Sequence, residues 1–127
     1  MGMRVGTDLV RVATVRDAIA AHGERYLQRV FTPKEVEDCR MAGVVDPQRL
    51  AARFAAKEAT LKALRAGDAA VPWPAVEVLR DPTGFPALAL HGAAADLAAR
   101  QGIAQLEVSL THEEEYAAAV VVAELAR

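Results

Sequence analysis

The strongest helical pattern in this 127-residue sequence runs from Asp46-Pro47 to about residue 66, and it carries charge where a core-facing helix should carry none. At about 100° per residue, Leu50, Phe54, Leu61 and Leu64 fall within a stripe of roughly 80°. Lys57 lies inside that stripe, and Glu58 lies only about 40° from Phe54. A desolvated ion must be paired, bind a metal or shift its pKa. Lys62 follows Glu58 at i+4 with the acid on the N-terminal side, a geometry in which the two side chains meet. One reading is an i,i+4 salt bridge at a partly exposed helix edge. The other is a carboxylate beside an apolar wall that binds a hard cation, with an ammonium next to it for phosphate. Asp8, near the end of the first apolar stretch, offers a second oxygen ligand. Two carboxylates plus substrate phosphates are a common setting for magnesium. Asp8 also suits the N-cap of a helix starting near Val10.

The rest of the chain reads as elements that would pack around this helix. Met3 to Val10 is predicted as a strand interrupted at Gly6-Thr7-Asp8. Val12, Val15 and Ile19 recur at helical spacing, and Gly23 closes that segment. Thr32-Pro33-Lys34-Glu35 predicts a capped helix start with a capping box, and Asp46-Pro47 repeats the cap-plus-proline device. Gly67 is placed to end the long helix in a left-handed conformation. Val71-Pro72-Trp73-Pro74 is a rigid loop. Val76 to Arg80 and Ala87 to His91 read as strands around the turn Asp81-Pro82-Thr83-Gly84. Ala93 to Arg100 is a short helix stopped by Gly102. Leu106 to Leu110 and Tyr116 to Ala123 form a second strand pair around His112-Glu113-Glu114-Glu115. The last strand is apolar on both faces, so it is expected to be central and buried. Helices followed by mostly antiparallel strands make a single α+β domain over residues 1–127, with a sheet packed on the long helix.

Aromatic residues make up only 5% of the chain, and Ala and Val dominate its apolar set. Small side chains bury little area, so an oligomer interface is expected to contribute stability. Cys39 is the sole cysteine. It rules out an internal disulfide, fits a reducing cytoplasm, and reads as a small semi-buried hydrophobe. No N-terminal signal peptide is expected, and the longest apolar run, Tyr116 to Ala123, is too short for a spanning helix. Residues 1–65 hold 12 Lys and Arg against 8 Asp and Glu, whereas residues 66–127 hold 3 against 9. A basic first half suits an acidic protein partner or a phosphate-bearing ligand. Nucleic acid is disfavoured, since no dense basic run or interleaved aromatic platform is present.

Several motifs resemble those of one enzyme family. Gly6-Thr7-Asp8-Leu9-Val10 is similar to the opening of the holo-[acyl-carrier-protein] synthases. Arg53-Phe54-Ala55-Ala56-Lys57-Glu58-Ala59 with Lys62-Ala63-Leu64 resembles their central helix almost letter for letter. Trp73 with Val76-Glu77-Val78, then Gly84-Phe85-Pro86, then Val108-Ser109-Leu110-Thr111-His112 and Glu115-Tyr116-Ala117-Ala118-Ala119-Val120 follow in the family's order.

The resemblance implies a 4'-phosphopantetheinyl transferase fold, and a homotrimer with coenzyme A and magnesium bound at subunit interfaces. It implies transfer of phosphopantetheine from coenzyme A to a serine of an apo acyl carrier protein, as in fatty acid biosynthesis, with release of adenosine 3',5'-bisphosphate. By the same resemblance Asp8 and Glu58 are metal ligands, and Lys62 contacts the reacting phosphate. Arg53, Ser109, Thr111 and His112 lie toward the nucleotide, with His112 near a phosphate on the ribose. Glu58, directly or through a metal-bound water, is the candidate base for the serine proton. Two departures stand out. Arg11 and Thr14 occupy positions where the family often has an acid and an arginine, so Arg11, Arg16, Arg25 and Arg29 are the expected carrier-docking substitutes. Glu113-Glu114 follow His112 where small, polar or basic residues are commoner. The alternative is a non-catalytic coenzyme A-binding or carrier-interaction module; the intact Asp8, Glu58 and Lys62 argue against it.

Overall fold

The computed structural model describes residues 2–126. Strand β1 (Met3–Arg11) leads into helices α1 (Val12–His22), α2 (Glu24–Val30) and α3 (Pro33–Asp38), then a short ribbon of β2 (Arg40–Met41) and β3 (Val44–Val45). Helix α4 (Pro47–Ala63) follows, then a 3₁₀ turn at Trp73–Ala75 and the hairpin of β4 (Val76–Arg80) and β5 (Pro86–Leu90). Helix α5 (Gly92–Arg100) and the long hairpin of β6 (Ile103–His112) and β7 (Tyr116–Leu125) complete the chain. The main sheet has the order β1-β7-β6 and is antiparallel throughout. The α+β architecture read from the sequence is therefore the one observed, with the last strand in the centre.

Helix α4 lies across the inner face of β1 and β7. Its start follows the local chemistry: Asp46 accepts the Gln48 N–H at 3.1 Å, and Pro47 supplies the fixed first helical residue. The face it buries is wider than the stripe predicted from periodicity: Leu50, Lys57 and Leu64 of that stripe are fully buried, and so is an alanine face beside it. Ala51, Ala55, Ala56, Ala59 and Ala63 are fully buried, whereas Phe54 and Leu61 are only partly so. The inner face of β7 is equally small, with Ala117, Ala119, Val121 and Ala123. Small side chains on both partners let helix and sheet approach closely, so periodicity of large residues marked only part of the buried face.

Gly6 marks the closest approach. A Cβ there would sit 1.9 Å from the Ala59 carbonyl oxygen. Gly6-Thr7-Asp8 therefore does not interrupt the strand, contrary to expectation; β1 runs unbroken from Met3 to Arg11. Asp8 is accordingly not a helix cap, since α1 begins after Arg11 and has no side-chain cap. Helix α4 also stops at Ala63, earlier than expected, and Arg65 takes a left-handed φ of 53° ahead of Gly67 at 56°.

The expectation for β7 needs a second correction. The strand is central, but one of its faces is open: Val120 is 43% exposed, and on β1 Val5 and Leu9 are 66% and 65% exposed. Hairpin β4–β5 forms a separate two-stranded sheet with no strand pairing to the main one among the described residues. Cys39 is fully buried rather than semi-buried, and burial pushes its thiol up to about 11.

Candidate active site

Alternation along β1 turns Asp8 toward α4, as it does Gly6 and Val10, while Thr7 and Leu9 face outward. The close contact at Gly6 brings this carboxylate to the helix turn that carries Glu58 and Lys62. Lys62 Nζ donates to Asp8 Oδ1 and to the Thr7 carbonyl oxygen, each at 3.0 Å. Asp8 is well shielded, at 12% side-chain exposure, whereas Lys62 reaches solvent at 58%. The three residues singled out from sequence thus meet in one place.

Two features of this cluster fit a small cation. Asp8 Oδ2 is buried without a hydrogen-bond partner. Burial pushes Glu58 up to about 7, with the neighbouring Asp8 carboxylate adding to the shift and Lys62 opposing it. The Glu58 carboxyl can donate to Asp8 only while protonated; once ionised, it leaves two carboxylates facing each other with one oxygen orphaned. The donor set is hard oxygen, suited to magnesium. No third His, Cys, Asp or Glu joins them in a three-ligand cluster among the described residues. A small dication held here needs most of its oxygens from substrate and water.

A second site lies elsewhere on α4. A cleft of about 340 Å³ is lined by Arg49, Ala52 and Arg53 from the helix, Val78, Leu79, Arg80, Gly84 and Pro86 from the β4–β5 hairpin, and Leu110 and His112 from β6. Three arginines and a histidine line it, and no acid does. Arg53 is 5% exposed; its Nη1 donates to Cys39 Sγ at 2.8 Å while its Nε is buried without a partner. His112 Nδ1 lies 3.1 Å from Gln48 Oε1. The composition of the cleft suits an anionic ligand. A larger hollow of about 550 Å³ between α2 and α3 carries Glu24 and Glu37 on its lining, which suits a phosphate ligand poorly.

The sequence-predicted residues therefore fall in three places. Asp8, Glu58 and Lys62 form the carboxylate cluster, and Arg53 and His112 line the basic cleft. Ser109 and Thr111 are exposed on the opposite side of β6 from half-buried Val108 and Leu110, away from the cleft in the same chain. Arg53 and Glu58 are five residues apart, about 140° around the helix, so cleft and cluster lie on different sides of α4. Sequence reasoning missed Arg49, Arg80 and Gln48. Arg49 and Arg53 are like charges at i,i+4, an unfavourable spacing that was available as a signal. Of the proposed docking residues, Arg25 and Arg29 on α2 flank a hollow with Tyr26 and with His22 at the end of α1, and Arg11 lies 5.6 Å from the Tyr116 ring centre.

Comparison with known proteins shows the family. Residues 4–121 match the sequence profile of the 4'-phosphopantetheinyl transferase superfamily. A holo-[acyl-carrier-protein] synthase of Desulforudis audaxviator is 45% identical over 97% of this chain and 93% of its own length. One from Chloroflexus aurantiacus is 46% identical over 93% of this chain and 95% of its own. Among solved structures, a Chronobacterium ammoniagenes ACPS–CoA complex superposes with a TM-score of 0.81 at 31% identity, covering all of both chains. The Mycobacterium tuberculosis acyl carrier protein synthase gives 0.73 at 33% identity, covering 98% of this chain and all of that one. The chain belongs to the 4'-phosphopantetheinyl transferase superfamily, among the holo-[acyl-carrier-protein] synthases.

Proposed function

We propose that this chain transfers the 4'-phosphopantetheine group of coenzyme A to a serine of an apo acyl carrier protein, with magnesium, at sites shared between the subunits of a homotrimer. The observation that carries the reading is the meeting of Asp8, Glu58 and Lys62, with one buried carboxylate oxygen left unpaired.

Asp8 and Glu58 would hold the cation, which when bound neutralises the coenzyme A pyrophosphate. Lys62, anchored on Thr7 and Asp8 but largely in solvent, swings its ammonium to the phosphoryl group being transferred. The carrier serine Oγ attacks the phosphorus that bears the pantetheine arm. The new P–Oγ bond forms as the pyrophosphate P–O bond breaks, and adenosine 3',5'-bisphosphate leaves with the electron pair. Glu58 accepts the serine proton; a carboxylate raised by burial toward neutrality is a better base than an exposed one. Arg49, Arg53, Arg80 and His112 hold the nucleotide phosphates in the basic cleft.

The separation of cleft and carboxylates around α4 supports a shared site, since a neighbouring copy supplies the second half. The open apolar outer face of the main sheet, with Val5, Leu9 and Val120 exposed, supports the trimer. Ser109 and Thr111 lie on that face and belong to the neighbour's substrate in this arrangement. The basic α2 surface around Arg25 and Arg29 suits an acidic carrier, and charge reversal at Arg25 should raise the carrier KM about tenfold while leaving the coenzyme A KM unchanged. A buried free Cys39 is in keeping with a reducing, cytoplasmic setting.

The test is intact-mass analysis of an apo acyl carrier protein incubated with this protein, coenzyme A and magnesium. A gain of one phosphopantetheine, lost on chelation and in Glu58→Gln, is the expected result. Coenzyme A binding with no mass gain on any of several carriers would leave a non-catalytic binding module instead.

A further inference from the structure

Helix α4 carries a fully buried cation that the transfer chemistry does not use. Lys57 has no exposed surface, and neither has its partner Glu35 on α3. Lys57 Nζ donates to Glu35 Oε1 at 2.7 Å, to the Val76 carbonyl at 2.5 Å and to the Trp73 carbonyl at 3.2 Å. Its three N–H groups thus meet three acceptors. Glu35 Oε2 accepts the Val78 N–H at 2.8 Å, and Glu35 Oε1 also takes the Thr32 N–H at 2.9 Å. Each oxygen of this carboxylate is used.

What these bonds join matters more than their number. Hairpin β4–β5 lacks strand pairing to the main sheet, yet it supplies Val78, Leu79, Arg80, Gly84 and Pro86 to one wall of the basic cleft. The opposing floor is α4, through Arg49, Ala52 and Arg53. The Lys57–Glu35 pair grips the beginning of β4 at Trp73, Val76 and Val78, and so ties wall to floor. Glu35 stands where a neighbouring strand would stand, accepting an N–H from the edge of β4. A buried ion pair adds little net stability over an apolar pair of the same volume, but it demands a particular geometry of everything bonded to it. That property suits a spacer better than a brace.

We infer that Lys57 and Glu35 are positioning residues that set the width of the nucleotide cleft, acting through the β4–β5 hairpin and touching no substrate. The inference rests on the reading of that cleft as the nucleotide site. Opening the cleft weakens the grip on the nucleotide without displacing Asp8, Glu58 or Lys62, which lie around the helix on another side. The effect therefore falls on ground-state binding and spares the chemical step.

The experiment compares the wild-type protein with the paired variant Glu35→Gln/Lys57→Met, using adenosine 3',5'-bisphosphate as the calorimetric probe and steady-state transfer as the second readout. The paired variant should bind the probe at least tenfold more weakly and show a matching rise in coenzyme A KM. Its kcat at saturating coenzyme A should stay within threefold, and its carrier KM should not move. Glu35→Asp, one methylene too short to bridge Lys57 and Val78, should weaken the probe in the same direction by a smaller factor. A folded paired variant that binds the probe within twofold of wild type overturns the inference. If the pair does not fold, unchanged probe binding by Glu35→Asp overturns it equally. Wild-type protein that fails to bind the probe would instead remove the nucleotide reading of the cleft, and this inference with it.

Discussion

Glu58 is the residue at which stability and activity pull in opposite directions. Burial, with Asp8 alongside, pushes its carboxyl up to about 7 from an ordinary 4.5. The folded protein therefore holds this proton more tightly than the unfolded chain does. The stability this group contributes is complete below about pH 4.5 and is lost as pH rises through about 7. In metal-free protein, the Tm should fall between about pH 5 and pH 8, and the Glu58→Gln variant should lose less over the same range. Parallel pH profiles for the two proteins would show that the carboxylates do not strain each other. The same substitution removes the proposed base and cation ligand, so transfer should drop by a factor of about 10² or more, within the range assigned to a positioned acid–base group. A more stable and nearly inactive variant is the expected combination.

At the scale of elements, the contact between β1 and α4 builds the cluster. Gly6 has ordinary strand geometry and no turn to make; it is glycine because the Ala59 carbonyl leaves no room for a side chain. Gly6→Ala must push the strand from the helix. Overpacking of this kind costs about 1–3 kcal/mol, and here the obstruction is backbone, which yields least. The expected outcome is a lower Tm together with a loss of transfer larger than the stability change explains, because Asp8 moves with the strand. Activity that survives at temperatures where the variant is fully folded would contradict this. The sequence made some of these elements plain and hid others for definable reasons. Cap residues announce themselves locally, so the capping box at Thr32 and Glu35 and the start at Asp46-Pro47 were legible and are present. Charge inside an apolar stripe flagged Lys57. Its partner was hidden, because Glu35 reads from sequence as a cap alone, while in the fold it also answers Lys57 and Val78 from 22 and 43 residues away. The alanine face of α4 was obscured for another reason: close packing needs small residues, and small residues carry little periodic signal. The cleft was only half legible, since Arg80 reaches it through a hairpin whose placement depends on tertiary contacts.

The whole molecule has an outer sheet surface that a single copy leaves open. Strand register places Thr7, Val120 and Ser109 side by side across the sheet, with Leu9, Ala118 and Thr111 in the next row and Val5, Val122 and Glu107 on the other side. Val120 stands at the centre of this surface on the central strand, flanked by the exposed Val5 and Leu9. An apolar row bordered by hydroxyls is what subunits that share a substrate would press together. An arginine at position 120 would have to be buried without a counter-ion at every such contact, a cost of several kcal/mol per ion. Val120 in the free chain is already half in water, so the substitution asks little of the monomer fold. If the proposed trimer forms through this surface, Val120→Arg should give a monomer by sedimentation where the unaltered chain gives a trimer, with an unchanged far-ultraviolet circular dichroism spectrum. Transfer should fall at least tenfold even though Asp8, Glu58 and Lys62 remain in place, because in the proposed shared site each carboxylate cluster loses the basic cleft of its neighbour. Raising the protein concentration should restore part of the activity, in step with the reappearance of trimer. A variant that is monomeric and fully active would locate cleft and cluster for one substrate within a single chain, and would require α4 to rotate or coenzyme A to wrap around it.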